Sequence, residues 1–382
     1  MKSSIKELSS IYINLLKTTM GCGILNYPML MKEFGVIQCI ILTIFSSLAS
    51  YAGIVIYIEL NDKYGKNNTL STVTRHFKPQ LKILADIIVI FKCYTVAIAY
   101  LIYIKQQIVF LLDHYKLDLN INITFFIIVL LISPFVFMNK LDKLKYTSVL
   151  GLITILLLIS TSYYRYISRE IQHKLYLFRE SDQYLQSLSY FVFSFTCHQN
   201  IFTLQNEMRY SSTRNLKITA LLSLLSASTI YLIFGLISYM AYGEEIVKPF
   251  INTHKNDNIK VALSWFYIFL LGLSVPLQTN PVKQYSLNLI NEKFLKYQKY
   301  GYIRFITSGL IIISCYFIAI TCNDFDQMCK FIGGTFSTFM CFLFAGLYYI
   351  LSMKVIGSKT NTMMAILSTT YGILAFCSVL KN

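Results

Sequence analysis

The chain has 382 residues, of which 55% are hydrophobic and 14% are charged, and its mean hydropathy is +0.55. This composition excludes an ordinary soluble domain. The net charge of +16 would suit a nucleic-acid partner, but the basic excess is spread over short segments between apolar runs. We therefore expect a protein of the lipid bilayer that binds no nucleic acid.

Eleven apolar runs are long enough to cross the hydrocarbon core of a bilayer, which takes roughly 20 residues. They predict an all-α integral membrane protein, folded as a single transmembrane domain over residues 1–382. The runs cover about residues 9–30, 36–60, 83–112, 122–138, 147–164, 185–206, 216–241, 260–281, 302–322, 331–353 and 362–380.

The loops between these runs differ in charge. If the N-terminus and every second loop are assigned to one side, that side carries the whole excess of +16. Short loops rich in Lys and Arg favour the cytosol. We therefore expect a cytosolic N-terminus and, with an odd number of spans, an extracytosolic C-terminus.

The first span contains residues that break helices. Gly21 and Gly23 lie one residue apart, and Pro28 follows five residues later. Glycine weakens a helix by about 1 kcal/mol and an interior proline by about 3 kcal/mol. An unwound turn at membrane depth is tolerated only inside protein or beside a water-filled cavity, so the break predicts a site. The alternative is a packing face of small residues, which normally lie four residues apart.

The sixth span has polar residues at its centre, where they are costly and usually face a bundle interior or a cavity. They are Thr196, His198, Gln199 and Asn200. A continuous helix that hydrogen-bonds to its neighbours is the alternative. Two interrupted spans at matching positions favour an inverted repeat. The repeats would cover about residues 9–166 and 185–353, with an extra helix at 362–380.

Four motifs stand in spans 1, 6, 8 and 10: Asn14-Leu15…Lys17-Thr18…Gly21…Gly23-Ile24-Leu25…Pro28, Phe195…Cys197-His198…Asn206-Glu207-Met208, Leu273-Ser274-Val275-Pro276-Leu277…Pro281-Val282-Lys283, and Gly333-Gly334-Thr335-Phe336-Ser337-Thr338. In this order they resemble the signatures of the amino acid/auxin permease family. The chain departs from that family at Thr203 and at Ala345 or Gly346, where proline is frequent. The resemblance implies a LeuT-like fold, with a 5+5 inverted repeat plus one helix. It also implies secondary transport of amino acids, coupled to protons or sodium, across a plasma or a vacuolar/lysosomal membrane.

An amino acid zwitterion needs partners for both of its charges at membrane depth. We expect the amides freed at Gly21–Gly23 to hold the carboxylate and the carbonyls of Ser194–Thr196 to hold the ammonium group. The predicted substrate-binding residues are Thr18, Thr19, Gly21, Cys22, Gly23, Ser194, Phe195, Thr196 and His198. We expect no metal, since the nine cysteines show no paired metal spacing. We also expect no cofactor, and a monomer.

The coupling ion is predicted from Lys17 and Ser274. In sodium-coupled relatives this part of span 1 and a hydroxyl at the position of Ser274 help to hold the ion. An ammonium group at Lys17 would repel Na⁺ by several kcal/mol at low effective dielectric. We therefore predict proton-linked transport that needs no sodium. The alternative is a lysine that reaches to the cytosolic interface.

The remaining candidates have structural or gating roles. His198 is either a proton relay or a hydrogen-bonded core histidine. Glu207 is expected to pair with Arg209 or Lys217, and Pro28 and Pro276 are expected to shape their helices.

Three other functions fit the sequence less well: a sodium-coupled neutral amino acid transporter, an amino acid sensor without sustained flux, and an intramembrane enzyme. A sensor would need a docking surface, and only about eight residues precede span 1. An enzyme would need a paired nucleophile and base. Cys197 and His198 are adjacent, and neighbours on a helix point about 100° apart, so we expect no enzyme.

Overall fold

The computed structural model of the chain describes residues 2–65, 68–77, 79–138, 146–169, 173–181, 184–254, 257–290 and 301–380. Within these ranges all regular secondary structure is helical. Seven of the helices described are long and apolar enough to cross a membrane, and two more apolar helices have 10–17 residues. Predicted spans 1 and 6 are each divided into two shorter helices. The all-α membrane fold is confirmed, while the count of eleven spans stays a prediction. The basic segments at 140–145 and 291–300 lie outside the described residues.

The helices of the first half are α1 (Lys2–Met20), α2 (Tyr27–Phe34), α3 (Val36–Tyr64), α4 (Leu70–Phe77), α5 (Pro79–His114), α6 (Ile121–Phe137) and α7 (Tyr146–Ile167). Those of the second half are α8 (Tyr184–Ser194), α9 (Ile201–Glu207), α10 (Thr213–Tyr242), α11 (Asn258–Ile290), α12 (Gly301–Thr321), α13 (Phe325–Ile332), α14 (Phe344–Leu351), α15 (Met353–Ile356) and α16 (Lys359–Leu380).

The chain divides into two compact units. The first comprises Met1–Ile88, Ser162–Phe250 and Lys330–Asn382, and the second comprises Val89–Thr161 and Ile251–Cys329. Each predicted repeat contributes its first two spans to the first unit and most of its third and fourth spans to the second. The predicted fifth spans differ, because most of residues 147–164 belongs to the second unit and residues 331–353 belong to the first. The repeat boundaries themselves stay predictions.

Aromatic side chains around the interrupted helices form much of the core of the first unit. Tyr27 stacks on Tyr231 with ring centroids 4.4 Å apart, and Phe191 meets Tyr27 edge-on at 6.0 Å. Phe195 meets Tyr231 edge-on at 5.6 Å. All four side chains are fully buried. In a bilayer such rings stabilise helix packing through van der Waals contact and ring geometry, and here they enclose the residues around the interruptions.

The glycine-rich motif of span 10 is a close-packing surface for α8. Between α13 and α14 the helix widens into the π turns Gly333–Ser337 and Phe339–Leu343. A Cβ atom on Gly333 would collide with the carbonyl oxygen of Ser189. The Tyr57 hydroxyl donates a hydrogen bond to the carbonyl oxygen of Met340 in the second π turn. Glycine is therefore required here by the neighbouring helix backbone.

The second unit has its own core. Tyr103 meets Tyr267 and Phe325 edge-on, with ring centroids 5.4 and 4.9 Å apart. Helix α11 belongs to this unit and continues through Pro276 and Pro281. The eighth span is thus a single helix despite two interior prolines, unlike spans 1 and 6.

Candidate functional site at two interrupted helices

The first interruption falls at Gly21–Cys22, as predicted. The amide of Gly21 still donates to the Lys17 carbonyl at 3.2 Å, so it is not one of the freed amides that the sequence predicted. The 3₁₀ turn Gly23–Asn26 follows. Pro28 lies in the first turn of α2, where amides have no acceptor within the helix and a missing N–H costs nothing. Pro28 therefore begins the second half-helix, and the glycines interrupt the first.

The second interruption follows Ser194, the last residue of α8. Residues 195–197 are irregular, and a 3₁₀ turn at His198–Asn200 leads into α9. This interruption contains neither glycine nor proline. Its hydroxyls bond backward instead: Ser194 Oγ lies 2.8 Å from the Tyr190 carbonyl, and Thr196 Oγ1 donates to the Val192 carbonyl at 2.7 Å. Bonds of this kind bend helices, but they also occur inside the continuous helices α3 and α10, at Thr43 and Ser223, so they do not by themselves explain the interruption.

The two interruptions touch each other. Ser194 Oγ also lies 3.2 Å from the carbonyl oxygen of Gly23, and a Cβ atom on Gly23 would lie 2.7 Å from Ser194 Cα. One turn away, Asn200 Nδ2 donates to Thr18 Oγ1 at 2.8 Å. The sequence predicted that the interruptions meet, and within the first unit they do.

Tyr231 of α10 joins both interrupted helices. Its hydroxyl lies 2.6 Å from the carbonyl oxygen of Thr19, in the last turn of α1, and 2.9 Å from that of Ser194. The Tyr231 side chain is fully buried. Sequence reasoning missed this residue because nothing distinguishes it among 29 tyrosines.

His198 packs against α3 and span 10. Its Nε2 atom lies 3.1 Å from the Ser50 carbonyl, and because a carbonyl only accepts, Nε2 carries a hydrogen. The ring meets Tyr57 and Phe342 edge-on, each at 5.9 Å. Only 1% of His198 is exposed. These contacts hold the ring in place, and its role as a substrate ligand stays a prediction.

The other candidates differ in accessibility. Thr19, Cys22, Gly23, Ser194, Phe195 and Thr196 are buried, Lys17 and Thr18 are half-buried, and Gly21 is exposed. The Phe195 carbonyl accepts a hydrogen bond from Ser50 Oγ at 2.9 Å.

Ser274 lies in the second unit, where its hydroxyl donates to the Leu270 carbonyl at 2.8 Å within α11. The predicted pairing of Lys17 with the region of Ser274 therefore stays a prediction.

Glu207 lies exposed at the end of α9. Lys217, one of its expected partners, forms an ion pair with Glu59. Arg209, the other, donates its backbone amide to the Glu7 carboxylate at 2.6 Å, and the pairing of Glu207 itself stays a prediction. Glu7 lies near the start of α1, far from Arg209 in sequence, so local spacing could not indicate this contact.

Comparison with known proteins shows the family to which this chain belongs. The sequence model of the transmembrane amino acid transporter protein family matches residues 6–381. This chain belongs to the transmembrane amino acid transporter family. The match confirms the resemblance seen in the four motifs and covers both interruptions. Family members are membrane transporters.

Two fungal relatives of the family match along most of their length. Vacuolar amino acid transporter 5 of Schizosaccharomyces pombe is 26% identical over 91% of this chain and 85% of its own. The protein of the same name in Saccharomyces cerevisiae is 25% identical over 91% and 88%. Among solved structures, MhsT in complex with L-phenylalanine is similar with a TM-score of 0.61 at 10% identity, covering 97% of both chains. This likeness confirms the LeuT-like fold.

Proposed function

We propose that this family member carries an amino acid across the membrane by alternating access, holding the zwitterion at the two interruptions. The observation that carries the proposal is their convergence, with Ser194 Oγ 3.2 Å from the Gly23 carbonyl. Discontinuous helices that meet at mid-membrane are the usual substrate sites of secondary transporters.

The carboxylate is proposed to bind where the second half-helix begins. The first amides of a helix have no acceptor within it, and the helix dipole is positive at that end. Gly21 is exposed although Met20 and Cys22 beside it are buried, so the chain can be reached at this point. Without side chains, Gly21 and Gly23 leave room for close approach of the substrate.

The ammonium group is proposed to bind at the end of α8. The Ser194 and Phe195 carbonyls each accept a hydroxyl, from Tyr231 and Ser50 respectively. A carbonyl oxygen has two lone pairs, so each keeps one for a further donor. The same hydroxyls hold the carbonyls in position before the substrate arrives, which lowers the entropic cost of binding.

Coupling is proposed to be to protons, without sodium. Lys17 lies in the last turn of α1, directly before the interruption. A cation fixed there disfavours a second cation nearby. We also propose a vacuolar-type membrane, by analogy with the fungal relatives, and a monomeric transporter.

Uptake by the purified protein in proteoliposomes tests this function. A panel of labelled amino acids would be offered with and without a pH gradient, in NaCl or in choline chloride. We expect saturable uptake that follows the pH gradient and is unchanged in choline. Uptake that requires Na⁺ would overturn the coupling, and binding without counterflow would indicate a sensor.

The role of Lys17 is tested by Lys17→Ala, with the exposed Lys359→Ala as the matched control. We expect uptake by the Lys17 variant to become stimulated by Na⁺, because the fixed cation that disfavours Na⁺ is gone, and uptake by the control to stay independent of it. A Lys17 variant whose uptake is as independent of Na⁺ as that of the control would remove Lys17 from the exclusion of sodium.

A further inference from the structure

The two half-helices that end at the interruptions point their last carbonyls at one atom. Thr19 contributes a carbonyl oxygen from the last turn of α1, and Ser194 contributes one from the end of α8. The atom between them is the hydroxyl oxygen of Tyr231, at 2.6 and 2.9 Å. A phenol has one hydrogen, so both carbonyls share it.

Carbonyls at a helix C-terminus carry the negative end of the helix dipole. Two such ends that meet in a buried place need a positive partner, since unsatisfied buried acceptors are costly. In transporters built from interrupted helices, half-helix C-termini and unwound carbonyls commonly bind the coupling cation. Here the partially positive phenol hydrogen lies where such an ion would have to sit.

We propose that the Tyr231 hydroxyl takes the place of a bound cation between the two interruptions. The hydroxyl is covalently anchored, so the junction stays closed without recruiting an ion from solution. This deepens the proposed function, on which its consequence for transport rests: sodium independence would come from Tyr231 as well as from Lys17. Tyr231 is a positioning residue, acting through the ends of α1 and α8.

The ring of Tyr231 is held in a way that fits this role. It stacks on Tyr27 at 4.4 Å and meets Phe195 edge-on at 5.6 Å, so the hydroxyl has little freedom. A serine at this position would be too short to reach the carbonyls and would vacate the volume of the ring. Water and a small cation could then enter. A phenylalanine would keep the ring and remove only the hydrogen bond donor.

The test compares Tyr231→Ser and Tyr231→Phe with the full-length wild-type protein. The matched control is Tyr239→Ser, two turns further along α10, where a buried tyrosine bonds the Tyr176 amide at 3.4 Å instead. The first measurement is the melting temperature in detergent with NaCl, KCl or choline chloride. The second is amino acid uptake in proteoliposomes with the same salts.

We expect the melting temperature of the wild type and of Tyr239→Ser to be the same in all three salts. That of Tyr231→Ser should rise by about 2 °C or more in NaCl, because a ligand that binds only the folded state stabilises it. Its uptake should become sodium-stimulated by about fivefold, equivalent to about 1 kcal/mol. Tyr231→Phe should lose most uptake and gain no response to sodium.

Three results would overturn the inference: a wild-type protein that sodium stabilises as much as the variant, a folded Tyr231→Ser without any sodium response, or a Tyr231→Phe with full uptake. If Tyr231→Ser does not fold, the uptake of Tyr231→Phe decides whether the hydroxyl is needed, and full uptake by that variant overturns the inference. If the wild type transports no amino acid, the proposed function fails, while the melting temperatures still test the cation substitute.

Discussion

Gly23 occupies the tightest place in the site. A Cβ atom there would lie 2.7 Å from Ser194 Cα and 2.8 Å from Ser194 Oγ, closer than side-chain carbons normally approach. Overpacking of a well-packed interior costs about 1–3 kcal/mol and moves the backbone. We expect Gly23→Val to abolish uptake while the protein still inserts into membranes, and Gly23→Ala to reduce it severely. Uptake and the amount of folded protein in detergent are the measurements.

Gly309→Ala is the matched control for this prediction. A Cβ atom at Gly309 in α12 would meet its nearest neighbour, Phe137 Cζ, at 3.9 Å, which is ordinary contact. We expect full uptake from that variant. A fully active Gly23→Val would contradict the carboxylate site and the close approach of the two interruptions.

Substitution of His198 tests whether this buried histidine takes part in coupling. Its Nε2 hydrogen points at the Ser50 carbonyl and its ring is enclosed by Tyr57 and Phe342, which favours a structural role. The amide of glutamine can also donate to that carbonyl. We therefore expect His198→Gln to lower uptake without moving the midpoint of its pH dependence. Uptake is measured over a pH series, with the exposed His76→Gln as control. A shifted midpoint in His198→Gln alone would restore the proton-relay hypothesis.

At the scale of single residues, the sequence revealed what depends on local backbone chemistry. Gly21, Gly23 and Pro28 mark an interruption because glycine and proline act on their own turn. Tyr231 could not be found in this way. Its partners lie 212 and 37 residues away in sequence, and only the folded helices bring them together.

At the scale of helices, the three irregular spans differ in their local sequence. Glycines lie at the interruption of span 1, whereas span 6 is interrupted without glycine or proline in the polar segment that its composition indicated. The π turns of span 10 were not predicted. The first of them begins at Gly333, beside the Ser189 carbonyl of α8, and the position of a neighbouring helix leaves no trace in local periodicity.

The start of α1 is held by a contact between residues far apart in sequence, which the local sequence pattern could not predict. α1 begins at Lys2, before the apolar run predicted from residue 9, and Glu7 accepts amide hydrogens from Arg209 and Tyr210 at 2.6 and 3.3 Å. Burial raises the pKa of Glu7, but hydrogen bonds from the Ser211 hydroxyl and from the backbone amides of residues 209–211 outweigh it, so the pKa lies below its usual 4.5. The contact is thus favoured at neutral pH and is lost as the pH falls through the lowered value.

We expect Glu7→Gln to loosen this contact, because hydrogen bonds to a charged acceptor are about twice as strong as neutral ones. Hydrogen exchange of the Arg209 and Tyr210 amides should be several times faster than in the wild type at neutral pH. The difference should disappear at a pH low enough to protonate Glu7. The exposed Glu180→Gln is the control. Equal exchange at neutral pH would show that the carboxylate does not hold this loop.

At the scale of the whole molecule, the distribution of charge and the division into units are consistent with each other. Each predicted repeat supplies the first unit with an interrupted span and the helix after it. The basic excess of +16 was counted on the assumption that consecutive loops alternate between the two membrane faces. Hydropathy and charge predict organisation at this level because the bilayer imposes both, while the number of spans and their orientation stay predictions.

The termini provide the sharpest test of that organisation. If the number of spans is odd and the basic loops lie in the cytosol, the N-terminus should face the cytosol and the C-terminus the opposite compartment. We expect added protease to remove an N-terminal tag from sealed vesicles whose cytosolic face is outward. A C-terminal tag should stay protected until detergent opens the vesicles. A resident lumenal protein serves as the control for sealing. Digestion of both tags in sealed vesicles would mean that the number of spans is even. Every loop after the miscounted span would then lie on the opposite side of the membrane from the one predicted.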